Sequence, residues 1–131
     1  LPCLTRVMHE VSVMAGIVEA VLKHLEKYDV ERVDEVHLTI GELTNLGADQ
    51  MVFAYEIITR GTPLDGSQLV IEPEAIVVRC RSCQYQGGVE HVENEEFHNS
   101  IPVLSCPQCH GSVDVVAGKS CTVRSMRVVE R

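Results

Sequence analysis

Two short stretches, CRSC at residues 80–83 and CPQC at residues 106–109, decide how the second half of this chain can fold. Two residues between cysteines form a tight turn in which both thiolates can face one metal ion about 2.3 Å away, and two such turns complete a tetrahedron. Four thiolates leave no open coordination position, which is typical of a structural zinc site. The segment has few large apolar residues, so we expect it to need the metal to fold. The predicted ligands are Cys80, Cys83, Cys106 and Cys109.

The paired turns leave two other chemistries open. A redox-active CxxC motif follows a strand and opens a helix in thioredoxin-like proteins, and no helical pattern follows Cys83 or Cys109. A rubredoxin-like iron site uses the same four-thiolate cage, and sequence alone does not separate iron from zinc. Cys121 stands outside the motif and alternates with Val123, so it is predicted to be a small buried hydrophobe.

Composition describes a small folded protein with an aliphatic core. Of the 131 residues 45% are hydrophobic, with three Tyr, two Phe and no Trp. A net charge of −8, with an acidic stretch at 90–96, argues against nucleic-acid binding, which needs a basic surface. No apolar run approaches the roughly 20 residues of a membrane span. Residues 1–7 are too short and too mixed for a signal peptide, so we expect a cytoplasmic protein with reduced thiols and no membrane partner.

Periodicity predicts two helices and a strand ahead of the cysteines. Apolar residues recur at three- and four-residue steps over 10–27, which favours an amphipathic helix. Alternation over 36–40 predicts a half-buried strand that faces His37 and Thr39 outward and ends near Gly41. A second apolar stripe at 47–61 predicts another helix with Asp49 as its cap.

Two further strand patterns flank the cysteine segment. Residues 68–78 predict a strand interrupted at Pro73, and residues 119–131 predict a strand with a bulge near Arg124 and Ser125. We expect the last strand to return to the edge of the first sheet, which makes the cysteine segment an insertion. The predicted fold is α+β: two helices on a short mixed sheet, closed by the C-terminal strand, with an inserted zinc-ribbon-like domain.

The tripeptide Met8-His9-Glu10 has metal chemistry of its own if Met8 is a chain terminus. Its amine, the His9 amide and imidazole and the Glu10 amide would then supply four nitrogens in the planar arrangement that Ni²⁺ or Cu²⁺ accepts and Zn²⁺ does not favour. With residues 1–7 attached, the amine becomes a peptide nitrogen and this chelate is lost or weakened. Otherwise His9 is an ordinary internal histidine.

Several stretches together resemble the HypA/HybF family of nickel metallochaperones, which act in hydrogenase maturation. They are MHEVSV at 8–13, RVDEVHLTIGEL at 32–43, FAYEIITRGTPLDGSQLVIE at 53–72, the CRSC and CPQCHG motifs, and VRSMRVVE at 123–130. The resemblance implies nickel binding at Met8, His9 and Glu10 and a structural zinc at the four cysteines. It also implies a HypB-type GTPase and the hydrogenase large subunit as partners, the urease machinery in some bacteria, and a homodimer in some members.

The resemblance also suggests how the chain is divided. Residues 1–7 are interpreted as a tag or upstream extension, residues 8–77 plus 113–131 as a nickel-binding α/β domain, and residues 78–112 as a zinc-binding domain. A non-enzymatic nickel-delivery protein is favoured, because no nucleophile–base pair has a recognisable spacing. The alternative is a zinc-ribbon protein-interaction module with no nickel role.

Three histidines near the cysteines carry further predictions. His91 and His98 lie among the acidic residues of the loop between the cysteine turns, and we hypothesise that they supply extra nickel ligands. His110 directly follows Cys109 and could replace a thiolate at the metal, but it is predicted to point outward.

Overall fold

The computed structural model of the protein describes residues 2–94 and 99–131, with only the backbone for residues 2–8, 94 and 99. Its helices are α1 (Pro2–Leu25) and α2 (Ala48–Ile58), and a 3-10 turn spans Glu42–Thr44. The strands are β1 (Val30–Gly41), β2 (Gln68–Glu74), β3 (Val77–Cys80), β4 (Gln86–Gly87), β5 (His91–Asn94), β6 (Asn99–Pro102), β7 (Val113–Ala117) and β8 (Cys121–Glu130). No described helix combines the length and apolar composition that crossing a membrane requires.

The chain divides into two compact units. The first contains Leu1–Ile40, Asn45–Glu72 and Cys121–Arg131, and the second contains Gly41–Thr44 and Pro73–Ser120. The predicted insertion at 78–112 lies inside the second unit. Its role as a zinc-binding domain, beside a nickel-binding domain at 8–77 plus 113–131, stays a prediction.

Helix α1 packs an apolar stripe into the core of the first unit. Met14, Val18, Val21 and Leu25 are buried at the spacing of one helix face, each stabilising the fold by roughly 1.5–3 kcal/mol. The predicted start at Glu10 was wrong, because the helix begins at Pro2. Proline has no backbone N–H, and it suits a first helical turn because an N–H there has no acceptor within the helix.

Strand β1 lies at the centre of the first sheet, whose order is β2–β1–β8. The predicted outward direction of Thr39 was wrong: this residue is only 5% exposed, because the end of β1 is buried on both faces. His37 is half-buried, with Nε2 3.7 Å from Oε1 of Glu35 and Nδ1 3.7 Å from Oε1 of Glu72. Two carboxylates, one on β1 itself and one on β2, therefore lie near this imidazole.

Strand β8 pairs antiparallel with β1, as the predicted closure of the sheet requires. His37 pairs with Ser125 and Leu38 with Val123, which leaves Arg124 without an opposite residue. The predicted bulge is therefore confirmed. The predicted interruption at Pro73 was wrong, because Pro73 lies within β2 and the break follows Glu74. An edge strand such as β2 tolerates proline, since one side of its ladder is unpaired.

Helix α2 buries Met51, Ala54 and Tyr55, as its stripe predicted. The predicted cap Asp49 was wrong: the N-cap is Gly47, which has no side-chain capping bond. The carboxylate of Glu10 lies beside this end of the helix, since a Cβ placed on Gly47 would be 3.4 Å from its Oε2. A negative group at a helix N-terminus is favourable because it faces the positive end of the helix dipole.

The second unit contains a three-stranded sheet of order β4–β3–β7 and a separate hairpin of β5 and β6. Its segment Gly41–Thr44 is bound by backbone hydrogen bonds from Gly41 N to Ser120 O (2.9 Å) and from Leu43 N to Gly118 O (2.8 Å). The two backbone segments approach so closely that a Cβ added to Gly41 would lie 2.4 Å from the carbonyl carbon and oxygen of Gly118.

We expect Gly41→Ala to lower the free energy of unfolding by about 1–3 kcal/mol, because the added methyl group meets backbone that cannot rotate away. Chemical denaturation measures the change. Gly16→Ala is the matched control: nothing lies within 4 Å of a Cβ at this position in α1, and the same substitution should stabilise the helix by roughly 0.5–1 kcal/mol. Equal effects of the two substitutions would contradict the close approach at Gly41.

Candidate metal centre

The two CxxC turns share one backbone hydrogen bond and one left-handed residue. The amide of Cys80 donates to the carbonyl of Tyr85 at 2.8 Å, and the amide of Cys106 donates to the carbonyl of Gly111 at 3.0 Å. In each turn the residue after the second cysteine takes a left-handed conformation, with φ 69° at Gln84 and 61° at His110. This conformation reverses the chain tightly enough to bring both sulfurs of a turn to the same side.

The four thiols converge on one point. Their sulfurs all lie within 4.8 Å of one another, with 3.5 Å between Cys80 and Cys109 and 3.5 Å between Cys83 and Cys106. A tetrahedral ion with bonds of about 2.3 Å requires sulfurs about 3.8 Å apart, so these residues fit a four-coordinate metal. Within the described residues no other group of three or more His, Cys, Asp or Glu side chains meets at such distances.

Backbone amides stabilise negative charge at the buried sulfurs. The Cys83 and Ser82 amides point at Sγ of Cys80, at 3.4 and 3.3 Å, and lower the pKa of this thiol to about 6. Burial raises the pKa of Cys106, but the amides of Cys109 and Gln108, together with contacts to the Cys83 and Cys109 thiols, lower the pKa overall. One thiol of each turn is therefore ready to bind a cation.

The other thiol of each turn holds its proton more tightly. The Tyr85 amide lowers the pKa of Cys83, but the contact with Cys106 and burial outweigh it and raise the pKa to about 12. The Gly111 amide likewise lowers the pKa of Cys109, and the contact with Cys80 contributes to a net increase. Without a cation, four adjacent sulfurs cannot all be ionised, so a metal must displace protons when it binds.

A charged pair fixes the first turn to strand β7. The Arg81 guanidinium donates through Nε and Nη2 to the Asp114 carboxylate, with Nη2–Oδ1 at 2.5 Å, and this contact lowers the pKa of Asp114. The Arg81 amide also donates to the carbonyl of Ser112 at 3.3 Å. His110 is exposed and does not join the thiol cluster, in line with its predicted outward direction.

The predicted nickel ligands lie in α1. Met8 has helical backbone, and its side chain is outside the described residues; His9 is exposed, whereas Glu10 is fully buried. A buried carboxylate beside the start of α2 is placed to anchor the chain rather than to meet an ion from solution. The sequence did not indicate this burial, because only the apolar stripe beyond residue 10 was periodic.

Of the two histidines suggested as extra nickel ligands, the structure describes only His91. His91 is 2.5 Å through Nε2 from Oε1 of Glu42, whose other carboxylate oxygen accepts from the Ile76 amide at 3.4 Å. His98 lies outside the described residues. A nickel role for either residue stays a prediction. Glu42, Arg81 and Asp114 were missed from the sequence, where no spacing signal connects them to their partners.

The chain matches a known protein family over most of its length. A family model described as "HypA: Hydrogenase/urease nickel incorporation, metallochaperone" matches residues 8–128. The chain belongs to this HypA family. The predicted resemblance is confirmed, and so is the prediction that the chain is not an enzyme, because the family consists of maturation factors.

Relatives named hydrogenase maturation factor HypA support the assignment over nearly the whole chain. The relative from Methanothermobacter thermautotrophicus is 35% identical over 125 residues, covering 95% of this chain and 99% of the relative. The one from Desulfitobacterium hafniense is 35% identical over 124 residues, covering 94% and 100%. The chain is thus a HypA-family member with a four-cysteine metal site.

Solved structures confirm the α+β fold of this HypA-family chain. The solution structure of the Ni metallochaperone HypA from Helicobacter pylori has a TM-score of 0.65 at 18% identity, covering 93% of this chain and 98% of that one. A second solution structure of a HypA protein has a TM-score of 0.66 at 21% identity, covering 95% and 98%.

We expect zinc binding at neutral pH to release protons, chiefly from Cys83 and Cys109, whose pKa values are raised. Affinity should fall as the pH falls, and more steeply below about pH 6, where Cys80 also becomes protonated. Calorimetric titration in buffers of different ionisation enthalpy measures the protons released. Cys121→Ser, which changes a thiol outside the cluster, is the control and should leave the number unchanged. Zinc affinity that is independent of pH would contradict this arrangement of thiols.

Proposed function

We propose that this protein carries Ni²⁺ for hydrogenase maturation, binding it at Met8, His9 and Glu10, while Cys80, Cys83, Cys106 and Cys109 hold a structural zinc. The observation that carries the proposal is the family match that begins at residue 8, the Met of Met-His-Glu. We infer that Met8 supplies a free amine in the functional form and that residues 1–7 are an extension.

The position of Met8 in α1 supports a nickel site once the chain starts there. In the helix as described, the amides of His9 and Glu10 fall within the range in which each N–H bonds to the carbonyl four residues earlier. If Met8 is the first residue, those carbonyls are absent and these amides become unpartnered donors of the first helical turn. Deprotonated amides, the terminal amine and the exposed imidazole of His9 can then form a planar four-nitrogen site.

Glu10 contributes its backbone amide to this site, and its side chain acts as an anchor. The carboxylate is fully buried beside Gly47 at the start of α2, while His9 is exposed. The opposite environments of neighbouring side chains fix the orientation of this helical turn. The imidazole is therefore held in solvent, where an ion can arrive and leave.

Zinc suits the thiol cluster because a closed four-thiolate site has no position for cargo exchange. The ion would neutralise the sulfurs and join the two turns, and its chemistry at this position is structural. Four thiols that must remain reduced also favour the cytoplasm, which we propose as the place of action.

We propose a HypB-type GTPase and the hydrogenase large subunit as partners, with the urease machinery and a second copy of the chain as further candidates. The family description, which names hydrogenase and urease nickel incorporation, supports a place in this machinery. His91 and His98 are proposed as additional nickel ligands, to be tested by replacing both with alanine. A zinc-ribbon interaction module without nickel is the alternative function.

We expect protein cleaved to begin at Met8 to bind Ni²⁺ with the absorption spectrum of a diamagnetic planar complex. His9→Ala should abolish this spectrum, because it removes the imidazole donor. His24→Ala, at another exposed histidine of the same helix, should leave it unchanged. Zinc content measured in parallel should stay at one ion per chain in every variant. An unchanged spectrum in His9→Ala would refute the nickel site, and nickel-free protein that keeps its zinc would favour the interaction module.

We expect Glu10→Gln, in the form that begins at Met8, to lower the free energy of unfolding by about 1–2 kcal/mol, because it removes a negative charge from the start of α2. The planar nickel spectrum should persist, since the backbone amide and not the carboxylate binds the ion. Denaturation and nickel titration of the same sample separate the two roles. Loss of the nickel spectrum with unchanged stability would make the carboxylate a ligand and overturn the anchoring role.

A further inference from the structure

Among the sheets that the structure describes, the β5–β6 hairpin alone has two strands, whereas the other two sheets have three each. Val92 lies opposite Ile101 in this hairpin, and the two residues are 56% and 49% exposed. A two-stranded sheet leaves unpaired backbone groups along its edges, and it gains stability when a third strand is added. The hairpin is therefore a surface on which a further strand can pair.

Hydrogen bonding within the hairpin determines which backbone groups point outward. The Val103 amide donates to the carbonyl of Glu90 at 2.8 Å, and these two residues continue the register in which His91 is opposite Pro102. Opposite residues of an antiparallel pair alternate between hydrogen-bonded and non-hydrogen-bonded pairs. The non-hydrogen-bonded residues of β5 are therefore His91 and Glu93, whose amides and carbonyls point away from β6.

The two edges of the hairpin differ in the backbone groups that they offer. On the β6 edge the outward positions are Ser100 and Pro102, and proline has no amide to donate. On the β5 edge both outward residues, His91 and Glu93, have an amide and a carbonyl. No backbone hydrogen bond from another described segment reaches these two residues. The β5 edge can therefore form the complete hydrogen-bond ladder of a third strand at these positions.

The chain around the β5 edge is acidic. Residues 82–118 contain five Asp or Glu and no Lys or Arg. Asp114 is paired with Arg81, whereas Glu90 and Glu93 are exposed and have no ion pair within the described part of the chain. Like charges on neighbouring strands repel, so this edge disfavours a second copy of the acidic hairpin and is complementary to a basic strand.

We propose that the β5 edge binds an extended segment of a partner protein in which basic and apolar residues alternate. Side chains alternate in direction along β5, so Glu93 lies on one face and Val92, beside Ile101, on the other. Lysine or arginine of the segment pairs with Glu93, and the adjacent apolar residue contacts Val92. Main-chain hydrogen bonds provide affinity, and the alternation provides specificity. Binding uses the backbone of His91 and not its side chain, so it is independent of any nickel role.

A synthetic peptide tests the β5 edge directly. The probe is a fluorescein-labelled peptide of about eight residues in which lysine and valine alternate, and fluorescence anisotropy follows its binding to the zinc-loaded full chain. Peptides with glutamate in place of every lysine, or serine in place of every valine, test charge and apolar contact separately. N-methylation of every lysine amide removes the donors that face β5, whereas N-methylation of every valine amide removes only donors that face away.

Two variants of the protein locate the binding site. Glu93→Lys reverses the charge of the edge and should weaken binding about tenfold, and Val92→Thr removes apolar contact and should weaken binding about threefold. Glu56→Lys, at an exposed glutamate of α2, and Val116→Thr, at an exposed valine of β7, are the matched controls and should bind normally. Circular dichroism and zinc content establish that all four variants fold.

The proposal predicts that the unmodified and valine-methylated peptides bind, that the other three peptides bind weakly or not at all, and that only the two hairpin variants weaken binding. It is overturned if the unmodified peptide does not bind, if both methylated peptides bind equally well, or if folded Glu93→Lys and Val92→Thr bind as the unmodified protein does. Sedimentation showing a dimer that Val92→Thr dissociates would also overturn it, because the occupant would then be a second copy of the chain.

Discussion

The convergence of four sulfurs on one point is the constraint on which the second unit depends. Each CxxC turn is closed by a backbone hydrogen bond from its first cysteine to a residue beyond its second, Tyr85 or Gly111. Two thiols are prepared for ionisation by neighbouring amides, and two retain protons that a cation must displace. The protein supplies the geometry of this site, and a bound cation would supply the positive charge that allows all four sulfurs to ionise.

In the first unit, two neighbouring side chains of α1 have opposite environments. At His9 and Glu10 one side chain is exposed and the next is buried, so a single turn of α1 is both anchored and accessible. The nickel site proposed at this turn would use backbone nitrogens and the exposed imidazole of His9, with no buried side chain as a ligand. Such a separation would suit a cargo ion, because its release would not require the core to open.

Local patterns in the sequence were enough to predict much of this structure. The apolar stripes located both helices, and the phase shift in the last strand located the bulge at Arg124, because side-chain direction alternates strictly along a strand. The cysteine spacing predicted the thiol cluster, since two residues between thiols fix the turn. The start of α1 was misplaced because the apolar stripe begins only at residue 10, although Pro2 suits a first helical turn.

Pairs of charged side chains that lie far apart in the chain were not predictable. The pairs His91–Glu42 and Arg81–Asp114 are 49 and 33 residues apart, and neither has a motif that indicates it. The cap of α2 was assigned to Asp49 because a local signal was present. A buried carboxylate, Glu10, instead lies beside that end of the helix, where the N-cap Gly47 has no side chain.

We expect a metal ion at the four cysteines to hold the second unit together. Amide NMR of the zinc-loaded protein, before and after a chelator removes the metal under reducing conditions, measures this effect. We expect the amide signals of β3, β4 and β7 to lose their dispersion, those of α1 and β1 to keep theirs, and added zinc to restore the spectrum. Unchanged signals from β3 and β7 in metal-free protein would contradict it.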